Sequence, residues 1–367
     1  MMKHLKFLIG FILLVLTALA SFGTFSLPRV EKGGSDRFSA ERASKHIEVM
    51  SKVPHSVEHP VERAQVRRYL YDILEDMGGE PEIHEYDSIK FRYGGYFDIG
   101  NVYCQFDPLS GPADSYIMMV AHFDSRFRQA KLQKTVYSYG AGDDAYGVGS
   151  ILELLSQALK YRDEWHQGVR ILFTDSEENA LDGMKCAAKY NPELFENVGY
   201  VVNLESRGMN GPVLLFETSA NNEKVLDLYS EAKAPYGYSL TTVVYRFLPN
   251  NTDFTIVKDS IPGINFSTID NINYYHVDDD NFENINLATI QHYGAQIEPI
   301  LEEFLTSGEY RDPDALKGDE DLVFFTVPIL GIFSFTKPQF TLFCSVVFAL
   351  FCLALVLNIS ARNATLK

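Results

Sequence analysis

The sequence predicts an α/β protein with a mixed, mostly parallel central sheet, helices on both faces of that sheet, and membrane segments at the ends of the chain. Between residues 39 and 310, short apolar runs alternate with longer stretches of helical periodicity. Strands that alternate with helices are typical of a largely parallel sheet with both faces covered. Uncharged apolar runs lie outside this region at both termini, and such runs are typical of membrane segments.

Composition and charge bound the class of protein. Hydrophobic residues make up 46 % of the 367-residue chain, which is enough for a sizeable core. The formal net charge of −17 argues against a nucleic-acid partner, because a phosphate backbone repels an acidic surface. Four cysteines are too few for a disulfide-stapled scaffold. Cys104 and Cys186 could form a disulfide, and the sequence leaves that pairing open.

The N-terminal residues 1–28 have the pattern of a secretory signal. Lys3 and Lys6 precede a run from Phe7 to Pro28 that carries no charge. The run is also about 20 residues long, which is enough to remain as a membrane anchor, so signal peptide and signal anchor both stay open. Because cationic flanks stay in the cytoplasm, we expect the middle of the chain on the non-cytosolic side of a membrane, in the periplasm, endoplasmic reticulum lumen or vacuole.

Two further apolar runs lie near the C-terminus. Residues 340–357, Phe340–Leu357, are uncharged, and we predict a transmembrane helix there. Residues 322–336, Leu322–Thr336, form a shorter run that contains Pro328 and Gly331. This shorter run could be a kinked span, a re-entrant segment or an interfacial strand.

Helical periodicity predicts six helices in the middle region, and Gly78-Gly79 is a good stop signal for the second. Short apolar runs predict four buried parallel strands. The helices are expected at Arg42–Met50, Val61–Met77, Val148–Tyr161, Leu181–Lys189, Asn222–Lys233 and Leu287–Leu305, and the strands at Tyr116–Val120, Val169–Phe173, Tyr200–Leu204 and Val213–Phe216. We expect these elements to form one domain, residues 39–310.

Residue types that bind divalent metals follow the predicted strands, at the ends where ligands collect in open α/β sheets. Nitrogen and oxygen ligands without a thiolate favour zinc, and manganese or cobalt would also fit. Alone, Asp143-Asp144 could be a helix N-cap and Glu177-Glu178 a solvated surface. The joint order of the segments favours a metal site. They are His122–Ser125, Gly140–Asp144, Asp175–Glu178, Glu205–Gly208 and Tyr274–Asp280.

These segments resemble the motifs of the co-catalytic di-zinc aminopeptidases, zinc exopeptidases related to glutamate carboxypeptidase and glutaminyl cyclase. The resemblance covers about residues 40–305 and implies the zinc-exopeptidase fold. The segment Asn203–Gly208 and the apolar tail are most like the membrane-anchored branch, the endoplasmic reticulum metallopeptidases and vacuolar membrane proteases. The matching segments are Ala121–Ser125, Gly140–Ala145, Asp175–Glu178, Asn203–Gly208 and Tyr275–Asp280, which continues into Glu283–Asn286.

The resemblance implies a ligand set for two Zn²⁺ ions per chain. Asp143 would bridge the ions, His122 and Glu205 would complete one site, and Glu178 and His276 would complete the other. Two cations a few ångströms apart need a shared anion, which agrees with a bridging carboxylate. Many soluble family members carry Asp where this chain has Glu205, whose side chain is one methylene longer.

The resemblance also implies catalytic and supporting roles. Glu177 would be the general base for a water shared by the metals. Asp124 would hydrogen-bond His122 and fix its tautomer. Tyr275 could donate a hydrogen bond to the oxyanion, or could merely pack against its loop. Arg207 could bind a substrate carboxylate or carbonyl, or could pair with the surrounding acids.

The function that follows is a membrane-attached zinc metallopeptidase. We expect an aminopeptidase that hydrolyses the N-terminal residues of peptides through a hydroxide bridging two zinc ions, with Glu177 and Glu205 as candidates to bind the free amine of the substrate. Another hydrolytic specificity, such as carboxypeptidase or dipeptidase, is an alternative. A glutaminyl cyclase-type acyl transferase with one zinc, or a non-catalytic receptor-like module on the same fold, are further alternatives. Side-chain specificity and oligomeric state stay open.

Overall fold

A seven-stranded mixed sheet lies at the centre of the molecule. The computed structural model describes residues 2–23, 26–132, 134–248, 250–327 and 329–365. The strands in those residues are β1 (Glu82–Lys90), β2 (Tyr96–Phe106), β3 (Tyr116–His122), β4 (Gln129–Lys131), β5 (Lys134–Val136), β6 (Gly168–Thr174), β7 (Val198–Ser206), β8 (Leu214–Thr218), β9 (Gly263–Thr268), β10 (Leu322–Val327) and β11 (Gly331–Thr336).

The helices cover the sheet and extend to both ends of the chain. In the described residues they are α1 (Met2–Gly23), α2 (Ala40–Met50), α3 (Pro60–Asp76), α4 (Ala145–Ala158), α5 (Glu177–Ala180), α6 (Asp182–Tyr190), α7 (Glu223–Tyr229), α8 (Ser239–Tyr245), α9 (Phe254–Val257), α10 (Leu287–Thr306) and α11 (Lys337–Thr365). Short 3₁₀ segments connect several of these elements.

The sheet combines a parallel centre with antiparallel edges. Its strand order is β1-β2-β6-β3-β7-β9-β8. Strands β6, β3, β7 and β9 pair in parallel with their neighbours in the centre. Strands β1, β2 and β8 add antiparallel partners at the edges. The predicted mixed sheet with mostly parallel central strands is confirmed.

Alternate residues of β3 face two different helical layers, as the two-residue period of a strand requires. Ile117 and Met119 belong to the hydrophobic cluster that includes Ile151 of α4. Met118 belongs to the cluster on the opposite face, together with Met184 of α6. Both faces of the sheet are therefore buried under helices, which explains why β3, β6 and β7 are apolar almost throughout.

The sequence did not predict β1, β2 and β9. Strand β1 is an edge strand with several exposed polar residues, so it lacks the apolar run by which buried strands were identified. The run Val213–Phe216 was predicted as a parallel strand, whereas the observed β8 pairs antiparallel to β9. An apolar run indicates burial on both faces but carries no information on strand direction.

The predicted helices are present with shifted ends. The helix predicted to end at Tyr161 is α4, which ends at Ala158 and is followed by a 3₁₀ segment, Leu159–Glu164. Helix α7 ends at Tyr229 rather than at Lys233. Cys104 and Cys186 are both free, buried thiols.

The terminal segments differ in length and structure. Among the described residues one helix, Lys337–Ile359 of α11, is long and apolar enough to cross a membrane by length and composition, with a mean hydropathy of 2.8. Helix α1 contains a shorter apolar stretch, Leu5–Leu19. The described residues of the run Leu322–Thr336 form the antiparallel hairpin β10–β11, and Pro328 lies outside the described residues.

Candidate metal centre

The predicted ligands meet at the carboxyl edge of the parallel strands. His122 is the last residue of β3, Glu205 lies near the end of β7, and Glu177 and Glu178 begin α5 just after β6. The ends of adjacent parallel strands lie side by side, so residues far apart in the chain share one edge. His276 reaches the same place from the loop after β9, where its backbone is left-handed (φ +62°).

The loop before α4 contains two adjacent aspartates, Asp143 and Asp144, whose side chains have different partners. The Asp144 side chain caps α4 by accepting the N–H of Gly147 at 3.1 Å. Asp143 points instead toward the two histidines. The N-cap explanation is thus correct for one aspartate of the pair and does not account for the other.

Asp280 holds the Asp143 loop in place. Its carboxylate is buried and accepts the N–H of Gly142 at 2.5 Å and the hydroxyl of Ser138 at 2.7 Å. A Cβ at Gly142 would meet the Met209 sulfur and lie 3.0 Å from Asp280 Oδ1, so a side chain there would require these neighbours to shift. The sequence predicts no separate role for Asp280, although it lies in the segment Tyr275–Asp280.

One group of possible ligands contains His122, Asp143 and Glu205. The Nε2 atom of His122 lies 3.2 Å from Asp143 Oδ1 and 3.9 Å from Glu205 Oε2. The other carboxylate oxygen of Glu205 accepts a hydrogen bond from Asn203 Nδ2 at 3.3 Å, which orients the side chain. One ligand atom of each residue lies within 4.8 Å of the others, and all three residues are buried.

A second group contains Asp143, Glu178 and His276. His276 Nε2 lies 3.2 Å from Asp143 Oδ2 and 3.1 Å from Glu178 Oε1. All three atoms are buried, yet none of them makes a hydrogen bond. Arg126 holds the other oxygen of Glu178 at 2.7 Å and so leaves Oε1 directed into the group. Buried polar atoms without hydrogen bonds are costly, and three that converge on one point fit a cation between them.

Asp143 is the residue that the two groups share. Its Oδ1 faces His122 and its Oδ2 faces His276. Two divalent cations could therefore lie on either side of one carboxylate. The donor set of two imidazoles and three carboxylates, with no thiolate, suits zinc and other borderline divalent ions.

Burial and mutual charge shift the pKa values of these groups. Burial alone would lower the pKa of His276, but Glu178 and Asp143 raise it to about 9. Burial would also lower the pKa of His122, and hydrogen bonds with Asp124 and Asp143 raise it well above its usual value. Burial raises the pKa of Glu205 to about 8, against the attraction of His122. Imidazoles and carboxylates of this kind lose protons when a divalent cation binds.

Asp124 connects His122 to Glu177. Its Oδ1 accepts the backbone N–H of Glu177 at 2.9 Å and lies 3.5 Å from His122 Nδ1. The same ring nitrogen lies 3.0 Å from the backbone carbonyl of Asp124, so main chain and side chain both face it. Asp124 thereby fixes the orientation of the imidazole and the start of α5 together.

A cavity of about 520 Å³ opens beside the ligand groups. Glu177, Tyr275 and Arg207 line it, as do the cationic side chains of Arg92 and Lys185. The ring of Tyr275 stacks on the His276 imidazole with 3.5 Å between centroids. The Arg207 guanidinium lies 5.8 Å from the ring centres of both Tyr245 and Tyr275.

Sequence reasoning missed several residues of the site. Arg126 lies two positions after Asp124, but an isolated arginine in a loop carries no signal that it pairs with Glu178. Asp253 is buried at the start of α9, and its carboxylate accepts the hydroxyl of Thr174 at the end of β6. Asp253 does not come directly after a predicted strand, so its position in the sequence does not indicate that it lies near the site.

The chain is similar to known peptidases. Residues 101–301 match the family described as "Peptidase family M28". The chain is 31 % identical over 260 residues to endoplasmic reticulum metallopeptidase 1 of Homo sapiens, covering 69 % of this chain and 27 % of that protein. It is 27 % identical over 250 residues to a vacuolar membrane protease of Paracoccidioides lutzii, covering 67 % and 24 %. The chain thus spans about a quarter of the length of these curated relatives.

Solved structures share the fold. An aminopeptidase from Aneurinibacillus sp. strain AM-1 superposes with a TM-score of 0.60 at 14 % identity, covering 75 % of this chain and 97 % of that chain. A glutaminyl cyclase from Porphyromonas gingivalis gives a TM-score of 0.59 at 18 % identity, covering 73 % and 99 %. At these identities the similarity shows a common fold and says nothing of a common reaction.

Proposed function

The chain belongs to peptidase family M28, and on that premise we propose that it is a membrane-attached aminopeptidase that uses two Zn²⁺ ions to hydrolyse the N-terminal residues of peptides. The strongest support is the pair of ligand groups joined by Asp143, with three buried and unpartnered atoms converging in one of them. Three carboxylates would offset most of the charge of two divalent cations. The ions would be held by His122 and Glu205 on one side, and by Glu178 and His276 on the other.

Glu177 is the proposed general base. When bound, the zinc ions would act as Lewis acids and lower the pKa of water to about 7. Glu177 would accept the proton of the attacking water and return it to the leaving amine. Its side chain lines the cavity, and its backbone is anchored by Asp124 at 2.9 Å. Glu178, its neighbour, is less suited to this role because Arg126 holds one of its oxygens and the other is directed into the group with Asp143 and His276.

Tyr275 and Arg207 are proposed to act on the substrate. Both line the cavity. The phenol of Tyr275 would donate a hydrogen bond to the oxyanion of the tetrahedral intermediate. The Arg207 guanidinium lies near the rings of Tyr245 and Tyr275 and has no ion-pair partner among the described residues, so it is available for a substrate carboxylate.

The preference for a free N-terminus is part of the proposal. An exopeptidase of this kind needs an anionic group to bind the substrate ammonium, and the candidates are Glu177, which lines the cavity, and Glu205, which belongs to the first ligand group. Glu205 is buried and Glu177 is half-buried, and an ion pair with an amine is stronger in such surroundings than in water. A peptide with a blocked N-terminus is therefore expected to be a poor substrate.

Membrane attachment and its direction are also proposed. The apolar segment Lys337–Ile359 would anchor the domain, and Leu5–Leu19 would form or contribute to a second attachment. Lys3 and Lys6 favour a cytoplasmic N-terminus, which would put the peptidase domain on the opposite side of the membrane. The curated relatives named above are an endoplasmic reticulum metallopeptidase and a vacuolar membrane protease, which agrees with a lumenal domain.

Metal stoichiometry tests the proposal most directly. The full chain, purified in detergent and dialysed against a weak chelator, is expected to retain two zinc ions per chain by elemental analysis. It should then release the N-terminal residue from aminoacyl anilides and from free peptides. A folded chain that stays empty after zinc is added back would overturn the mechanism.

A one-zinc glutaminyl cyclase is the second candidate, because the fold matches that of a glutaminyl cyclase as well as that of an aminopeptidase. One zinc per chain, with cyclisation of N-terminal glutamine and no release of amino acids, would favour it. Both histidines and all three carboxylates of the two ligand groups lie close together, which favours the two-zinc reading.

A further inference from the structure

The hairpin β10–β11 is fixed to the domain by one of its faces. Phe324 is 2 % exposed and belongs to the main hydrophobic core, and Ile332 packs against that core from the other strand. The backbone N–H of Phe324 donates to the Ser239 hydroxyl at 2.7 Å, and that of Thr326 donates to the Gly237 carbonyl at 3.0 Å. Apolar contacts and hydrogen bonds thus hold the hairpin in one orientation.

The opposite face of the hairpin is apolar as well. Phe325 pairs across the strands with Phe333 and stacks near Phe335. Phe333 is 39 % exposed, and at the tip Ile329 and Leu330 are 90 % and 69 % exposed. A hairpin with one face in the core normally presents polar residues on its other face, because that face contacts water. Residues 322–336 carry no charge at all.

The base of the hairpin continues into the apolar helix. Strand β11 ends at Thr336 and α11 begins at Lys337. Phe340, in the first turn of α11, has its ring centre 6.3 Å from those of Phe325 and Phe335. Phe343, one turn further, stacks on Phe335 at 5.8 Å. The outer face of the hairpin and the start of the helix therefore form one continuous aromatic surface.

The tip of the hairpin lies beside the end of the other apolar helix. Ser26, three residues after the end of α1, lines a cavity of about 360 Å³ together with Ile329 and Leu330. The tip of the hairpin therefore lies near the C-terminal end of α1, and the base of the hairpin lies at the N-terminal end of α11. If both helices meet a bilayer, the outer face of the hairpin lies along the surface of that bilayer.

We propose that this outer face, formed by Phe325, Phe333, Phe335 and the tip residues Ile329 and Leu330, rests in the lipid headgroup region and fixes the orientation of the domain on the membrane. The partner is the bilayer itself. Aromatic side chains are favoured at that depth. The cross-strand bonds, together with the bonds from β10 to Ser239 and Gly237, satisfy part of the hairpin backbone there. This inference rests on the proposed membrane attachment.

Fluorescence quenching in vesicles tests the contact. The chain has a single tryptophan, Trp165, which is 2 % exposed and gives a constant background. The full-length Phe333→Trp variant would be reconstituted in phosphatidylcholine brominated either near the headgroups or near the chain ends. We expect its added emission to fall by about half with bromine near the headgroups and less with deep bromine, because interfacial segments lie about 5–10 Å into the headgroup boundary. Leu330→Trp, at the tip, provides a second probe if Phe333→Trp does not fold.

Two matched variants separate the possible failures. Tyr96→Trp adds an indole at a position that is 73 % exposed on β2, toward the far edge of the sheet, and should be unaffected by either lipid. Leu350→Trp lies within α11 and should be quenched by deep bromine.

Quenching of Leu350→Trp while Phe333→Trp behaves like Tyr96→Trp would overturn the interfacial contact and leave the attachment intact. No quenching of Leu350→Trp would show that the proposed attachment is itself wrong. An indole in Phe333→Trp that is shielded from both brominated lipid and aqueous iodide would mean that a protein surface covers the face, and would also overturn the inference.

Discussion

Replacing Glu177 by glutamine separates the general base from the metal ligands. Glutamine has the same length and leaves the backbone bond to Asp124 at 2.9 Å intact. Glu177 does not belong to either ligand group, so both metal ions should be retained. Glutamine cannot accept the proton of the attacking water, and it also lacks the negative charge that Glu177 would offer to the substrate ammonium.

The size of the loss follows from the environment of the side chain. General-base catalysis contributes about 10²–10⁴-fold, which corresponds to a barrier higher by about 3–5 kcal/mol. Burial, followed by the nearby charge of Glu205, raises the pKa of Glu177 well above its usual value. A carboxylate with a raised pKa is a stronger base than a surface carboxylate, so we expect a loss of at least about 100-fold.

The assay is hydrolysis of an aminoacyl anilide by the full chain in detergent, with zinc content measured on the same sample. Glu48→Gln, on the exposed side of α2, is the matched control and should behave like the unsubstituted chain. Glu177 is not the general base if Glu177→Gln with its full metal content keeps more than about a tenth of the activity. If metal and activity disappear together, Glu177 is a ligand instead.

Three further perturbations probe neighbouring groups. Asp143→Asn should lose both metal ions and all measurable activity, because the shared carboxylate faces both histidines; elemental analysis that still finds two zinc ions would contradict this. Arg207→Gln should raise KM about tenfold or more for a dipeptide with a free carboxylate, because a charge-assisted hydrogen bond of about 1.5–3 kcal/mol is lost. The KM for the corresponding dipeptide amide should not change. Equal effects on the acid and the amide would exclude a carboxylate contact. Burial raises the pKa of Asp280 to about 7 from its usual 3.8, so the folded protein binds this proton more tightly than the unfolded chain does. The resulting gain in the free energy of unfolding is fully present below pH 3.8 and is lost as the pH rises through about 7. The melting temperature of the chelator-treated protein should therefore fall over that range, and Asp280→Asn should flatten the fall in calorimetry.

The sequence predicted the residue types of the candidate site better than their contacts. Ligand types at the ends of apolar strands could be recognised because a parallel sheet brings strand ends to one edge. Which of two adjacent acids faces the site depends on the backbone of a single loop, and only the structure separated Asp143 from the capping Asp144. The contact of Arg126 with Glu178 joins residues 52 positions apart, and no local pattern encodes it.

The sequence by itself determined the α/β class, six helices of the domain, the central strands β3, β6 and β7 and the order of the metal-binding segments. Each of these depends on the spacing of residues along a short stretch of chain, which hydrophobic periodicity records directly. The tertiary structure alone decided the direction of β8, the presence of strands β1, β2 and β9, and the hairpin formed by the described part of residues 322–336. These features depend on which distant segment lies alongside, because an apolar stretch is stabilised equally by any surface that excludes water.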